Sequence, residues 1–336
     1  MASIDHKLGG TAPANWRSAG LRYCDFNFWS RKRFGGKVWK LILDAGCQCP
    51  NRDGTLGTSG CAFCDIPSFS PIRRGKDAWG PSPSAQPPPI RIQLHDGIRR
   101  LQDLHAAERF IAYFQPATNT YGPISRLRGL FEEAADEPTV VGLAIGTRPD
   151  CLGDEVLDML AQLARRMWLL VDLGVQSIHD RTLDRLNRGH HFDAFRDAHR
   201  RATARNLDVG VHVILGLPGE SAADMLATAR QLAQFRLHSV KIHNLYAVRG
   251  TRLAEQVGAG EVRLPEFHEH VSRVVDFLEE TPNSCVIDRI SGEAPAEYLL
   301  GPVWCRNKAA IRAAVDAEFR RRGTWQGCKV APVSRR

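Results

Sequence analysis

The sequence predicts an α/β fold built from parallel βαβ units. Three observations predict it. Six strand-like runs alternate with helical ones between Lys37 and Glu280. The strand-like runs are nearly continuous in apolar residues, as expected when helices cover both faces of a parallel sheet. Chemically unusual residues gather just after each strand, where α/β folds place their ligands.

The elements follow in order. Residues 1–36 are polar, Gly-rich and dotted with aromatics, and read as an extension. KVWKLILDAG (37–46) reads as the first strand, because β-branched and apolar residues dominate before a Gly. The Gly-rich loop CPNRDGTLGTSGCAFC (49–64) follows, and then a stiff, irregular connector, PSPSAQPPP (81–89). IRIQLHDGIRRLQDLHAAE (90–108) reads as a helix. RFIAYFQ (109–115), TVVGLAIGT (139–147), MWLLVDLGVQS (167–177), DVGVHVILGLP (208–218) and HSVKIHNLYAV (238–248) are strands two to six. Between and after them come PISRLRGLFEEAA (123–135), GDEVLDMLAQLARR (153–166) and helical pieces ending near Asn206. SAADMLATARQLAQF (221–235) and PEFHEHVSRVVDFLEE (265–280) complete the helices. The core therefore spans 37–280, with a C-terminal extension over 281–336. Such units close into a barrel or open into a doubly wound sheet, and the pattern alone does not choose.

The chain of 336 residues carries a formal charge of +8, which favours a polyanionic partner such as nucleic acid. No apolar run approaches the ~20 residues of a membrane span, and the N-terminus lacks the apolar core of a secretory signal. A cytoplasmic protein with no membrane association is expected, in which thiols stay reduced. Nine cysteines in that setting argue for metal or redox chemistry at some of them.

Three cysteines stand out: Cys49, Cys61 and Cys64. A loop of Asn, Arg, Asp, Gly, Thr and Ser makes a poor core, which argues against buried structural thiols. Structural zinc takes four ligands in paired short spacings, and Cys47 sits too close to Cys49 to make a comfortable chelate pair. A thioredoxin-like pair, Cys61 and Cys64, needs no third thiol. An iron–sulfur cluster fits better, since thiolates are its usual ligands. Three thiolates on a four-iron cluster leave one iron open to a small molecule. The segments after the other strands are QPATNTY, GTRPDC, GVQS, GLPGE and YAVRGT. Turn chemistry accounts for their Gly and Pro. It does not account for Gln115, Arg148, Asp150, Gln176 or Arg249.

With these residues in view, the sequence resembles the radical S-adenosylmethionine (SAM) enzymes. Within them it is similar to small bacterial proteins related to the radical domain of the elongator catalytic subunit. The resemblance runs from about Phe34 to the C-terminus. It is carried by FGGKVWKL, CPNRDGTLGTSGCAFC, AYFQPATNTY, GTRPDC, DLGVQSIHDRTLDRLNRGH, HVILGLPGE, KIHNLYAVRGT and DRIS. The spacing Cys-x11-Cys-x2-Cys departs from the commoner Cys-x3-Cys-x2-Cys and matches this subgroup.

The resemblance implies a partial (β/α)6 TIM-like barrel. It implies a [4Fe–4S] cluster on Cys49, Cys61 and Cys64, which reduces SAM to methionine and a 5′-deoxyadenosyl radical. That radical takes a hydrogen from the substrate. Gln115 and the backbone near Ala117 take the place of the Gly-rich contact to the methionine amino group. Thr147, Arg148 and Asp150 face the same mouth. Gln176 resembles the ribose-contacting residue, and Arg188 the one that reaches the methionine carboxylate. Gly216 to Gly219 resemble the backbone flanking adenine. His212 is either inward-facing or core. Cys305 has a packing reading and a second-thiol reading.

The resemblance also implies a substrate. The elongator radical domain acts at the wobble uridine of tRNA, and its acetyltransferase domain is absent here. Two stretches offer RNA contacts: FWSRKRFGGKVWK and the tail FRRRGTWQGCK, where aromatics and cations interleave. The alternative is a radical enzyme acting on a small metabolite or a protein. A flavodoxin or ferredoxin is the implied electron donor.

Overall fold

A computed structural model of the protein describes residues 15–70, 73 and 87–330. Residues 81–86 of the Pro-rich connector, residues 1–14 and residues 331–336 lie outside the described ones.

Seven strands form one parallel sheet. They are β1 (Trp39–Leu43), β2 (Phe110–Phe114), β3 (Val140–Thr147), β4 (Trp168–Gln176), β5 (Asp208–Leu215), β6 (Ser239–Asn244) and β8 (Val286–Arg289). Each pairs only with its neighbours in this order. The helices are α1 (Phe26–Phe34), α2 (Ile66–Phe69), α3 (Ile90–His105), α4 (Ile124–Ala135), α5 (Asp154–Leu163), α6 (Asp180–Arg185), α7 (Phe192–Ala204), α8 (Ala222–Leu232), α9 (Arg252–Gly258), α10 (Phe267–Glu279) and α11 (Lys308–Arg322). β7 (Ala247–Val248) and β9 (Leu299–Gly301) make a small antiparallel pair. No helix among the described residues is long and apolar enough to cross a membrane.

The sheet is curled into a partial barrel. Its two edge strands, β1 and β8, are joined across the interior by an ion pair between Lys40 and Asp288. The period-2 alternation of strands sorts the residues. Phe110, Ala112 and Phe114 of β2 join the large apolar cluster shared with the outer helices. Ile111 and Tyr113 join a smaller cluster inside the curl. Gly142 is used there for space, since a Cβ on it would come within 2.7 Å of the Trp168 ring.

Six predicted strands became seven. VIDR is short, and half of it is charged, so it does not stand out as a strand. Its pairing with β6 sets it, with Ser239 opposite Val286 and Lys241 opposite Arg289. It comes from the stretch expected to be a C-terminal extension, so the core sheet runs past residue 280. The N-terminal stretch is also built into the core: Ile287 N donates to Cys24 O at 2.7 Å, and Asp25 bridges to Ile287 along the free edge of β8.

The two stretches expected to meet RNA lie at the N-terminal end of the strands. Trp29 packs against Trp168 and His238, with ring centroids at 4.9 and 4.8 Å, and both partners stand at strand starts. Phe34 reaches the same Trp168. In the tail, Phe319 is buried and Arg322 is tied to Asp276, Glu318 and Ser272. The buried amide of Gln326 accepts from Cys24 N and donates to the carbonyls of Pro282 and Cys285. Trp29, Phe34 and Phe319 are thereby used for packing at that end of the barrel. That end is opposite the strands' C-terminal ends, while Arg31, Lys32, Arg320 and Arg321 of the same stretches stay exposed.

Two imidazoles outside the barrel mouth set an acid limit. His199 and His270 each donate Nε2–H to a carbonyl, of Arg236 and Ile290, at 3.0 Å. Burial lowers both, His270 to about 4. The unfolded chain takes up protons near pH 6.5 that the folded chain refuses until lower pH, so stability falls as pH drops below ~6.5. His270 alone accounts for about 2 kcal/mol of that loss at pH 5. Asp172 and Asp288, both held below the carboxylate range, keep their contributions down to more acidic pH. Urea unfolding midpoints are therefore expected to be lower at pH 5 than at pH 7.5. Equal midpoints would contradict this.

Candidate active site

A cavity of about 820 Å³ opens at the C-terminal ends of the strands. Cys49, Cys61 and Cys64 line it. Their loop is fixed by its own backbone: Arg52 N and Asp53 N donate to Cys49 O at 2.8 and 3.1 Å, and Gly60 N to Asn51 O at 2.8 Å. It is also docked on the turn after α6. Ala62 N donates to Leu186 O at 2.9 Å, and Asn187 Nδ2 to Gly60 O at 2.8 Å. Asn187 holds φ of 52°, a left-handed turn that Asn tolerates, and this sends Arg188 into the cavity. Arg188 Nη1 lies 3.4 Å from Cys61 Sγ, and Nη2 donates to Gly174 O at 2.7 Å. A Cβ on Gly174 would stand 2.7 Å from that nitrogen, so a side chain there would displace the Arg188 guanidinium.

The donor set fits an iron–sulfur cluster. Three thiols face one space, and no three His, Cys, Asp or Glu among the described residues gather closely enough for a single ion. In a cluster each thiolate holds a different iron. Burial pushes the Cys64 thiol up to about 11, Cys61 adds to this, and Arg52 opposes it. A thiol held neutral in this way ionises when it meets a metal cation. Beside the thiols, Arg148 Nη1 and Arg188 Nε are buried with no hydrogen-bond partner. Unsatisfied buried donors of this kind mark a place for an anionic ligand.

Gln115, Ala117, Thr147, Arg148, Gln176 and Arg188 all line this cavity. Ala117 and Gln176 hold φ of 61° and 67°, a region non-glycine residues seldom enter. Ala117 thus takes the conformation a glycine would supply. Asn119 Nδ2 pins the segment, donating to the carbonyls of Phe114, Pro116 and Gly146 at 3.0, 3.0 and 2.9 Å. The Thr147 hydroxyl is engaged by Thr120 at 2.6 Å. Asp150 does not line the cavity. It grips Arg148 in a fork, Nε to Oδ1 at 2.9 Å and Nη2 to Oδ2 at 2.8 Å, and so aims the guanidinium.

Gly216 and Gly219 are not brought to this cavity. They line a separate one of about 380 Å³ with Arg185, Ser221 and His270. Left-handed turns, φ of 89° and 83°, carry the backbone away from the end of β5 towards α8. Arg249 is exposed. Cys305 is fully buried among Val248, Ala294 and Leu299, which is a packing position.

Below the mouth lies a polar floor that the sequence did not announce. Asp172 Oδ2 accepts from Tyr113 Oη at 2.9 Å and from Lys241 Nζ at 3.0 Å, and lies 2.6 Å from His212 Nε2. Lys241 also pairs with Asp288 at 3.2 Å. Burial would raise the Asp172 carboxyl, but His212 and Lys241 outweigh it and hold it well below the usual range. His212 therefore faces inward. The only hint was a lone Asp and a lone Lys interrupting two apolar strands, each of which needs a partner that only the curled sheet supplies.

Two family models match the chain. Residues 51–232 match the radical SAM superfamily, and residues 237–321 match the radical SAM C-terminal domain. YtqA of Bacillus subtilis is 36% identical over 94% of this chain and 95% of its own length. YhcC of Escherichia coli is 35% identical over 87% and 90%. A tRNA uridine(34) acetyltransferase of Methanocaldococcus jannaschii is 28% identical over 64% of this chain but only 40% of its own length. Among solved structures, Elp3 of Methanocaldococcus infernus superposes with a TM-score of 0.63 at 19% identity. That match covers 86% of this chain and 64% of that one, and shows the shared fold. With both models matched in series and the three thiols at the barrel mouth, the chain belongs to the radical SAM superfamily, whose members use a [4Fe–4S] cluster and S-adenosylmethionine.

Proposed function

We propose that this radical SAM protein is a cytoplasmic enzyme that modifies the wobble uridine of tRNA, with Cys49, Cys61 and Cys64 holding its cluster. The observation that carries the reading is one cavity lined by three thiols and by Arg148 and Arg188, each with an unsatisfied buried nitrogen. When bound, the cluster and cofactor supply a 5′-deoxyadenosyl radical, with a flavodoxin or ferredoxin as electron source. The chain's own residues bind and orient. The Arg188 fork suits the methionine carboxylate. Arg148, aimed by Asp150, adds a second cation on the same side. Gln176 serves the ribose, and Gln115 with the backbone at Ala117 serves the methionine amino group. The barrel walls keep water from the reacting atoms.

Two features support RNA as substrate. One is the similarity to tRNA uridine(34) acetyltransferases. The other is the cavity rim, where Arg306, Asn307 and Lys308 are exposed beside Val303. Cations there meet phosphate, while a base taken out of its stack enters the cavity. A second reading, a small metabolite, is favoured by the cavity's size, which lies within the range of small-molecule sites.

Bulk tRNA distinguishes them. Its affinity for the wild-type chain is expected to fall steeply with salt, and replacing Arg306 and Lys308 by Ala is expected to reduce the slope by about 1–2. Nucleoside analysis after reaction with SAM and dithionite is expected to show one uridine derivative changed. No tRNA binding above background, with no nucleoside changed, would transfer the enzyme to the metabolite class.

A further inference from the structure

The motif DRIS, residues 288–291, has no part in the function above, yet β8 places it in the cavity wall. Gly174 pairs with His212, His212 with Lys241, and Lys241 with Arg289. Three strand spacings of ~4.8 Å set Arg289 about 14 Å along the sheet from Gly174, whose carbonyl holds Arg188. Asp288 is spent on Lys40 and Lys241.

Arg289 has no such partner. It lines the cavity, its Nε is buried without a hydrogen bond, and no carboxylate among the described residues lies within ion-pair distance. Its Nη2 meets only the His243 ring, at 3.0 and 2.6 Å from the two nitrogens. Burial first, and then the Arg289 charge, hold His243 well below its ordinary value, so that ring is neutral. Glu293, the carboxylate on the same wall, pairs with Lys308 at the rim.

Lys40 pairs with Asp288, and Lys241 pairs with both Asp172 and Asp288. Arg289 is the cation of this group with no carboxylate beside it. A half-buried guanidinium with no counter-charge and a buried, unsatisfied Nε is a place that an anionic ligand completes. Four guanidinium groups line this cavity without a carboxylate: Arg52 bonds the Cys64 carbonyl, Arg306 is exposed at the rim, and Arg188 is the one assigned above to the cofactor. Arg289 is left for something else.

We propose that Arg289, with His243 and Tyr246 around it, is a subsite for a singly charged oxyanion of the substrate. A guanidinium fork matches an oxyanion with two hydrogen bonds. One guanidinium carries one charge, which one carboxylate matches. The subsite rests on the proposal that this cavity is where substrate reacts.

The test uses anaerobically reconstituted protein with SAM present, so that Arg188 is engaged. ¹³C-acetate is titrated at constant ionic strength and followed by NMR line width, with inorganic phosphate as competitor at pH 8, where phosphate is mostly a dianion. Saturable acetate binding is expected, at least about tenfold weaker in Arg289→Gln and intermediate in Arg289→Lys, which keeps the charge without the fork. Unchanged binding in Arg289→Gln, or none in the wild type, would overturn the subsite. Phosphate competing as tightly as acetate at pH 8 would overturn the single-charge assignment. Iron content and 5′-deoxyadenosine formation, measured on the same wild-type sample, report on the functional proposal separately. Cofactor cleavage without acetate binding sinks only the subsite; acetate binding without cleavage leaves an anion site at Arg289 but sinks the enzyme assignment and, with it, the site's role for substrate.

Discussion

Cys61→Ala is expected to reduce cleavage of S-adenosylmethionine by about 10⁴-fold or more, the scale seen when a member of a catalytic unit is removed. Affinity for tRNA is expected to stay within about twofold, since a lost contact of measurable size costs more than that. The two effects separate because the loop does not depend on this thiol for its shape. Ala62 N still bonds Leu186 O, Asn187 still bonds Gly60 O, and Arg188 is still held by Gly174 O. What is lost is one of three ligands. The Arg188 guanidinium that faced the thiol at 3.4 Å then faces a methyl group. Iron content per chain should fall with activity. Equal loss of cleavage and tRNA binding would show the loop to be structural and would undo the cluster assignment.

Asp172→Ala is expected to destabilise the protein by about 3–5 kcal/mol, the range for breaking a buried ion pair from one side. Asp172 is the one acceptor shared by Tyr113, His212 and Lys241. Its removal leaves the buried Lys241 ammonium with Asp288 as its one carboxylate and with the Tyr113 hydroxyl, and it takes from that hydroxyl its charged acceptor. Asp136 provides the contrast. It pairs with Arg166 on the surface, with both side chains more than half exposed, and Asp136→Ala is expected to cost less than about 1 kcal/mol. Urea unfolding of the two variants measures the difference. A cost for Asp172→Ala as small as that for Asp136→Ala would mean that the floor network carries little stability.

The framework of the barrel was legible because it depends on local pattern. TVVGLAIGT and MWLLVDLGVQS are long apolar runs, and the strands observed, Val140–Thr147 and Trp168–Gln176, lie inside them. β8 was not legible. It has four residues, two of them charged, and it exists because β6 offers it an edge. The cysteines could be singled out because three thiols in a polar loop have few other uses. Gln115, Ala117, Thr147, Arg148 and Gln176, which also line the cavity, stood at or just after strand ends, where the fold itself directs attention, whereas Arg188 follows α6.

The polar floor depends on strands far apart in sequence. Tyr113, Asp172, His212 and Lys241 come from four strands, and nothing in any one of them names the others. The basic aromatic stretches show a related limit. Their pattern did not reveal that Trp29 and Phe34 of α1 pack on Trp168 and His238, while Arg31 and Lys32 stay exposed. Gly216 and Gly219 show a further limit. A glycine pattern marks a turn, and the turn here leads out of the main cavity into a second one.

The most direct test is 5′-deoxyadenosine formation by anaerobically reconstituted protein given dithionite and S-adenosylmethionine, with iron and sulfide determined on the same sample. About four irons per chain together with 5′-deoxyadenosine are predicted. Zinc in place of iron, with the cofactor left intact, would contradict the account and return Cys49, Cys61 and Cys64 to a structural role.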